Sequence, residues 1–199
     1  VERNRKIGLF GGSFDPLHTG HLILAEMAAD FAGLGRVLFI PTAVPPHKRR
    51  NDLTPFEMRR RIVEIGIVGN PRFELSLLEG KTDVSYTYQS ILHFQRQGLG
   101  REEIHLLVGG DSLAEIASWR HPEEICRHAT IVAMQRPGHE DVSYFPEGAA
   151  VIVLESGSNA ISSSEIRWRV REGRSIRYLV PDAVAQFIEE HALYRTPEG

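Results

Sequence analysis

The chain has 199 residues, 42% of them hydrophobic and 25% charged, a composition that suits one globular domain able to bury a core without metal or disulfide staples. A formal net charge of −3 makes no general case for nucleic-acid binding, and no apolar run approaches the ~20 residues needed to span a bilayer. The single cysteine, Cys126, excludes an intramolecular disulfide framework and reads as a small core residue in a reducing compartment.

Val1-Glu2-Arg3-Asn4-Arg5-Lys6 leads into a short apolar run without a signal-peptide hydrophobic region, so a cytoplasmic location is expected. Residues 7–10 read as a buried strand closed by Gly11 and Gly12. A helix over 21–31 follows, with Leu22, Ala25 and Ala29 on one face. Residues 37–40 form a second strand, stopped by Pro41. The segment 41–51, with Pro45, Pro46 and a basic run, reads as a loop. Thr54 then offers a helix cap, Pro55 fits the first helical position, and Glu57 can close a capping box, starting a helix to about residue 68.

A weaker strand at 73–75 precedes a helix over 86–97, ended by Gly98, and a clear strand at 104–108 is again followed by two glycines. Strands at 130–134 and 150–154 complete the set, and helices at 163–172 and 181–191 close the chain. Apolar strands alternating with amphipathic helices imply an α/β fold, a mainly parallel sheet covered on both faces. One domain over 1–199 is expected, with a small helical C-terminal part at about 161–195. Residues 140–148 and the N-terminal tail carry no functional signal.

Ligands of open α/β sheets bind beyond the carboxyl ends of the strands. The segment after the first strand is Gly11-Gly12-Ser13-Phe14-Asp15-Pro16-Leu17-His18-Thr19-Gly20-His21. Its glycines allow backbone N–H groups close to a phosphate, and the helix N-terminus favours an anion. On a helical turn His18 and His21 point the same way, and Gly20 leaves space between them. A plain turn, surface histidines or half of a metal site are the competing readings. Structural zinc is disfavoured by the distant cysteine, and the G-x-G-x-x-G dinucleotide fingerprint is missing here.

Gly11 to His21 resembles the G-G-[ST]-F-D-P-x-H-x-G-H signature of the HxGH nucleotidyltransferases. The resemblance implies a Rossmann-like nucleotidyltransferase fold in which Gly11, Gly12, Ser13, Phe14, His18 and His21 meet ATP, the two histidines at its phosphates. Pro45-Pro46-His47-Lys48, otherwise a solvated basic loop, is similar to the P-P-H-K loop of nicotinate-nucleotide adenylyltransferases, and Thr54 to Arg59 is similar to the segment after it. Ile161-Ser162-Ser163-Ser164-Glu165-Ile166-Arg167 is by itself a capped helix start. It also resembles the I-S-S-[ST]-x-I-R motif, which places Ser162, Ser163, Ser164 and Arg167 at ATP. Arg171 and Arg174 share the Arg167 face but read as solvated.

Gly109-Gly110-Asp111-Ser112-Leu113 with Trp119, and Ser85-Tyr86-Thr87, resemble the family's G-x-D-x-L…W and S-Y-T stretches. By that likeness Phe14, His47, Lys48, Tyr86, Thr87, Asp111, Trp119 and Arg120 surround a mononucleotide, with Trp119 on its pyridine ring and amides near Thr87 at its carboxylate. Arg120 stands where Tyr is frequent in such proteins, so a backbone contact is the expectation there. Read alone, Trp119 could be an ordinary half-buried aromatic and Asp111 a helix cap.

The resemblance implies transfer of the adenylyl group of ATP to nicotinate mononucleotide. His18, His21 and Lys48 are the expected catalytic charge stabilisers, and Asp15 is expected to shape the loop. Mg²⁺ is expected on the ATP phosphates, with no dedicated protein ligand. Expected partners are these two small molecules, with neither nucleic acid nor membrane; a homo-oligomer is left open. Nicotinamide mononucleotide or phosphopantetheine as acceptor, and a nucleotide-binding regulator without catalysis, are the alternatives. A class I aminoacyl-tRNA synthetase shares the histidine signature but needs a longer chain.

Overall fold

The computed structural model describes residues 4–43, 53–78, 86–109, 116–135, 148–155 and 161–195. Its strands are β1 (Ile7–Gly12), β2 (Arg36–Pro41), β3 (Phe73–Leu75), β4 (Ile104–Gly109), β5 (Thr130–Gln135) and β6 (Val151–Glu155). All pair in parallel, in the order β3-β2-β1-β4-β5-β6. The order runs outward in both directions from β1 and β4, so the switch point lies between their carboxyl ends. The helices are α1 (Thr19–Phe31), α2 (Phe56–Gly66), α3 (Thr87–Arg96), α4 (Pro122–His128), α5 (Ser163–Arg171) and α6 (Asp182–Glu190), with a 3₁₀ turn at Ile116–Ser118.

The strands read as continuous apolar runs because both faces are covered. Phe10, Val37, Phe39, Leu107, Val132 and Met134 point into a core shared with α1, α2, α5 and α6. Their sequence neighbours Leu9, Leu38, Ile40, Leu106, Val108, Ile131 and Ala133 enter the opposite core, built with α3 and α4. This is the period of two expected of a pleated strand. Cys126 is buried in the second core, as expected from the sequence. Gly66 lets α2 close onto its neighbours: a Cβ there would overlap Leu17 and stand 3.1 Å from Val184 Cγ2.

Gly11 and Gly12 do not close β1 but continue it, opposite Ile40 and Pro41. The capping box expected at Thr54 and Glu57 is not formed. Helix α2 begins at Phe56 with Pro55 in the cap position and no side-chain cap bond. Thr54 is drawn elsewhere, its N–H donating to Asp15 Oδ2 at 3.3 Å, while Glu57 pairs with Arg60. Helix α4 is too short to give a periodic signal, although Pro122 at its start, Glu123 and Glu124 in its first turn and Arg127 and His128 in its last carry the expected polarity.

Candidate active site

Helix α1 starts at the carboxyl end of β1, beside the switch point, with His18 in the cap position. The His18 backbone N–H donates to His21 Nδ1 at 3.1 Å. The two imidazoles stack with centroids 3.6 Å apart, and Phe10 and Phe14 pack against the His21 ring at 5.7 and 5.2 Å. Burial, and secondarily the adjacent His18, hold the His21 pKa well below the ordinary imidazole value. Because Nδ1 accepts a hydrogen bond, the single proton of the neutral ring sits on Nε2. His21 is therefore a neutral donor at neutral pH.

Gly20 makes room for this stack. A Cβ there would lie 3.1 Å from His18 Nδ1 and 3.2 Å from its Cε1. The spacing of the motif thus has a steric cause. The Phe14 ring is 1% exposed and wedged edge-on against Phe10, so what Phe14 can offer a ligand is its main chain. Its φ of 45° turns the chain into the cis Asp15–Pro16 bond. Gly11 is exposed, and Gly12 and Ser13 are half-buried at the mouth of the turn.

Helix α5 brings the serine motif to the same turn. Ser162 caps it by accepting from the Glu165 N–H at 3.1 Å. Ser163 Oγ donates to Pro16 O at 2.9 Å, and Arg167 Nη1 donates to Asp15 O at 2.7 Å. Arg167 Nη2 also reaches Ser164 Oγ at 3.3 Å. The first turn and the serine-led helix therefore form one surface. Arg171 is exposed and Arg174 lies over the Trp168 ring, both away from this contact. His47, Lys48 and Asp111 fall outside the described residues.

A second group gathers at the same edge of the sheet. The Arg120 guanidinium lies 4.7 Å from the centre of the Tyr86 ring, just before α3, and Tyr88 meets His121 edge-on. Trp119 is half-buried on the second core, and Thr87 is half-buried at the first position of α3. Of the expected mononucleotide residues, Tyr86 and Arg120 are thus brought into contact from two segments.

Behind the turn lies a polar hub that sequence reasoning missed. Asp15, 1% exposed, accepts from Tyr194 Oη at 2.8 Å and from the Thr54 N–H, as fits a loop-shaping residue. Burial, then the nearby carboxylate, push the Tyr194 phenol above its ordinary range. Arg59 is buried beside them and donates to main-chain carbonyls. A signal for Arg59 existed: it falls on the stripe of α2 that also buries Ile62, Val63 and Gly66. Nothing in the local sequence marks Tyr194.

The cytidylyltransferase-like family model matches residues 9–169. A Geobacillus kaustophilus protein named as a probable nicotinate-nucleotide adenylyltransferase is 38% identical over 195 residues, covering 98% of this chain and 88% of its own length. A Thermus thermophilus protein of the same name is 40% identical over 191 residues, covering 96% of this chain and all of its own. In three dimensions the chain is similar to the nicotinic acid mononucleotide adenylyltransferase of Plasmodium falciparum in complex with NaAD. The TM-score is 0.77 at 20% identity, over 95% of this chain and 97% of that one, a likeness of fold. The chain belongs to the cytidylyltransferase-like nucleotidyltransferases and, within them, to the nicotinate-nucleotide adenylyltransferase family.

Proposed function

We propose that this protein transfers the adenylyl group of ATP to nicotinate mononucleotide, releasing pyrophosphate and forming nicotinate adenine dinucleotide for NAD synthesis. The observation that carries this reading is the convergence of His18, His21, the Ser162–Ser164 helix start and Arg167 on one turn at the switch point. The family relatives support the substrate pair. So does the Plasmodium falciparum enzyme, whose structures hold NaAD and APC.

An oxygen of the mononucleotide 5′-phosphate attacks the α-phosphorus of ATP. The new P–O bond forms as the bond to the bridging oxygen breaks, and that electron pair leaves with pyrophosphate. A phosphate monoester has a second pKa of about 6, so the nucleophile is already a dianion and needs no general base. The barrier lies in bringing anions together and stabilising charge on the transferring and leaving oxygens. His21 Nε2–H and the His18 ring serve the α-phosphate, while the α5 N-terminus and Arg167 hold the leaving phosphates. Gly11, Gly12, Ser13 and the Phe14 main chain line the adenylate side.

The second group places the mononucleotide, with Trp119 against the pyridine ring and the main chain at Tyr86 and Thr87 toward its carboxylate. Arg120 adds positive charge nearby, and His47, Lys48 and Asp111 complete the set. Mg²⁺ enters as part of the substrate, on the ATP phosphates. The groups facing the turn are imidazoles, hydroxyls and a guanidinium, a donor set that suits phosphate oxygens. Among the described residues no three His, Cys, Asp or Glu side chains converge as a metal cage. Among them, too, no helix is long and apolar enough to cross a membrane. The cytoplasm, where ATP and the mononucleotide are supplied, is the proposed location.

The test is a pyrophosphate-release assay with ATP and either the acid or the amide mononucleotide. A site built for a carboxylate leaves its donors poorly paired with the amide, so the acid should be favoured strongly. Equal rates would refute the acid assignment, and ATP binding without pyrophosphate release would refute catalysis.

A further inference from the structure

A permanent cation is costly to bury unless every N–H finds an acceptor. Arg59 is 1% exposed, and each of its three nitrogens finds one. Nε donates to Thr54 O at 2.9 Å, Nη1 to Ser13 O at 2.7 Å and to Thr42 O at 2.9 Å, and Nη2 to Ala43 O at 3.0 Å. All four acceptors are main-chain carbonyls, which report position and no side-chain identity. They belong to three separate stretches of chain: the turn after β1, the chain leaving β2 and the chain entering α2. The Thr42 N–H to Gly12 O bond, 2.9 Å, ties the first two again. Only a planar fork with donors in fixed directions can span these carbonyls at once; an ammonium cannot.

We propose that Arg59 is a positioning residue for the adenylyl transfer assigned above, on which the proposal rests. It acts through the Ser13 carbonyl. By fixing the turn after β1 against Thr42, Ala43 and Thr54, it sets where His18 and His21 stand. The side chain touches no substrate. Its effect is on the placement of groups that do.

Three measurements test this. Arg59→Lys, which keeps the charge and loses the fork, is expected to remain folded in thermal unfolding while kcat falls about tenfold to a hundredfold, the scale of an ångström-sized misplacement. KM for ATP should change far less. In Arg59→Ala, millimolar guanidinium should restore part of kcat by occupying the vacated carbonyls. A folded Arg59→Lys with wild-type kcat overturns the proposal. So does a loss of rate that tracks the unfolded fraction and is not relieved by guanidinium. The third readout needs no turnover: the imidazole nitrogen resonances of ligand-free His21 should titrate at a different pH in Arg59→Lys than in wild type. An unmoved His21 titration overturns the proposal. If wild-type protein releases no pyrophosphate, the adenylyl-transfer reading fails, and the His21 titration still decides the role of Arg59.

Discussion

The backbone N–H of His18 points at Nδ1 of His21, so one residue of the motif dictates which nitrogen of the other carries the proton. Such a ring presents Nε2–H to an incoming anion without first having to be charged.

His21→Ala is expected to lower kcat by about 10²–10³, the loss usual for one preorganised donor. His21→Gln, whose amide N–H can approach the place of Nε2–H, should retain more activity than His21→Ala. Pyrophosphate release under saturating ATP checks both, and equal rates in the two variants would count against a donor role.

Gly20→Ala is expected to separate activity from stability. Alanine is favoured over glycine in a helix by ~1 kcal/mol, yet its methyl would press on the His18 ring at 3.1 Å. The midpoint of thermal unfolding should hold or rise, while kcat drops about tenfold or more through displacement of the imidazoles. A variant as active as wild type would show that the ring can yield.

Gly66→Ala should do the reverse. Its methyl would overlap Leu17 and crowd Val184 in the packed core, and overpacking of that kind costs ~1–3 kcal/mol. Urea unfolding measures it directly.

Acid should weaken the fold through two histidines. Burial foremost lowers the pKa of both, with His18 adding to the effect at His21 and Lys6 at His105. Below the unfolded-chain value of ~6.5 the unfolded state therefore binds protons that the native state refuses. Their stabilising contribution is complete above that pH and is lost as pH falls toward the depressed native values. The urea midpoint should drop between about pH 7 and pH 5, and His105→Leu should flatten part of that drop. An unchanged pH dependence in the variant would remove His105 from the account.

The sheet was legible because both faces are buried: Leu9 and Phe10, or Leu38 and Phe39, enter opposite cores, leaving runs too apolar for anything but an internal strand. The paired histidines were legible because the chemistry and the Gly20 clearance lie within four residues. Thr54 misled because local capping rules weigh only neighbours, whereas its N–H is claimed by Asp15, 39 residues away. Tyr194 could not be foreseen for the same reason, since its partner lies 179 positions earlier. Arg59 stood in plain view on an apolar stripe, but no local pattern names four carbonyls as its acceptors.

The reactive turn is translated well before the segments that brace it. Thr19 is tied to the carbonyls of Tyr178 and Leu179, Pro16 to Ser163, and Asp15 to Arg167 and Tyr194. A nascent chain halted before these residues emerge holds its histidines on an unbraced loop. Competence for chemistry thus waits for residues as far along the chain as Tyr194, and ribosome-bound chains of increasing length should acquire it abruptly.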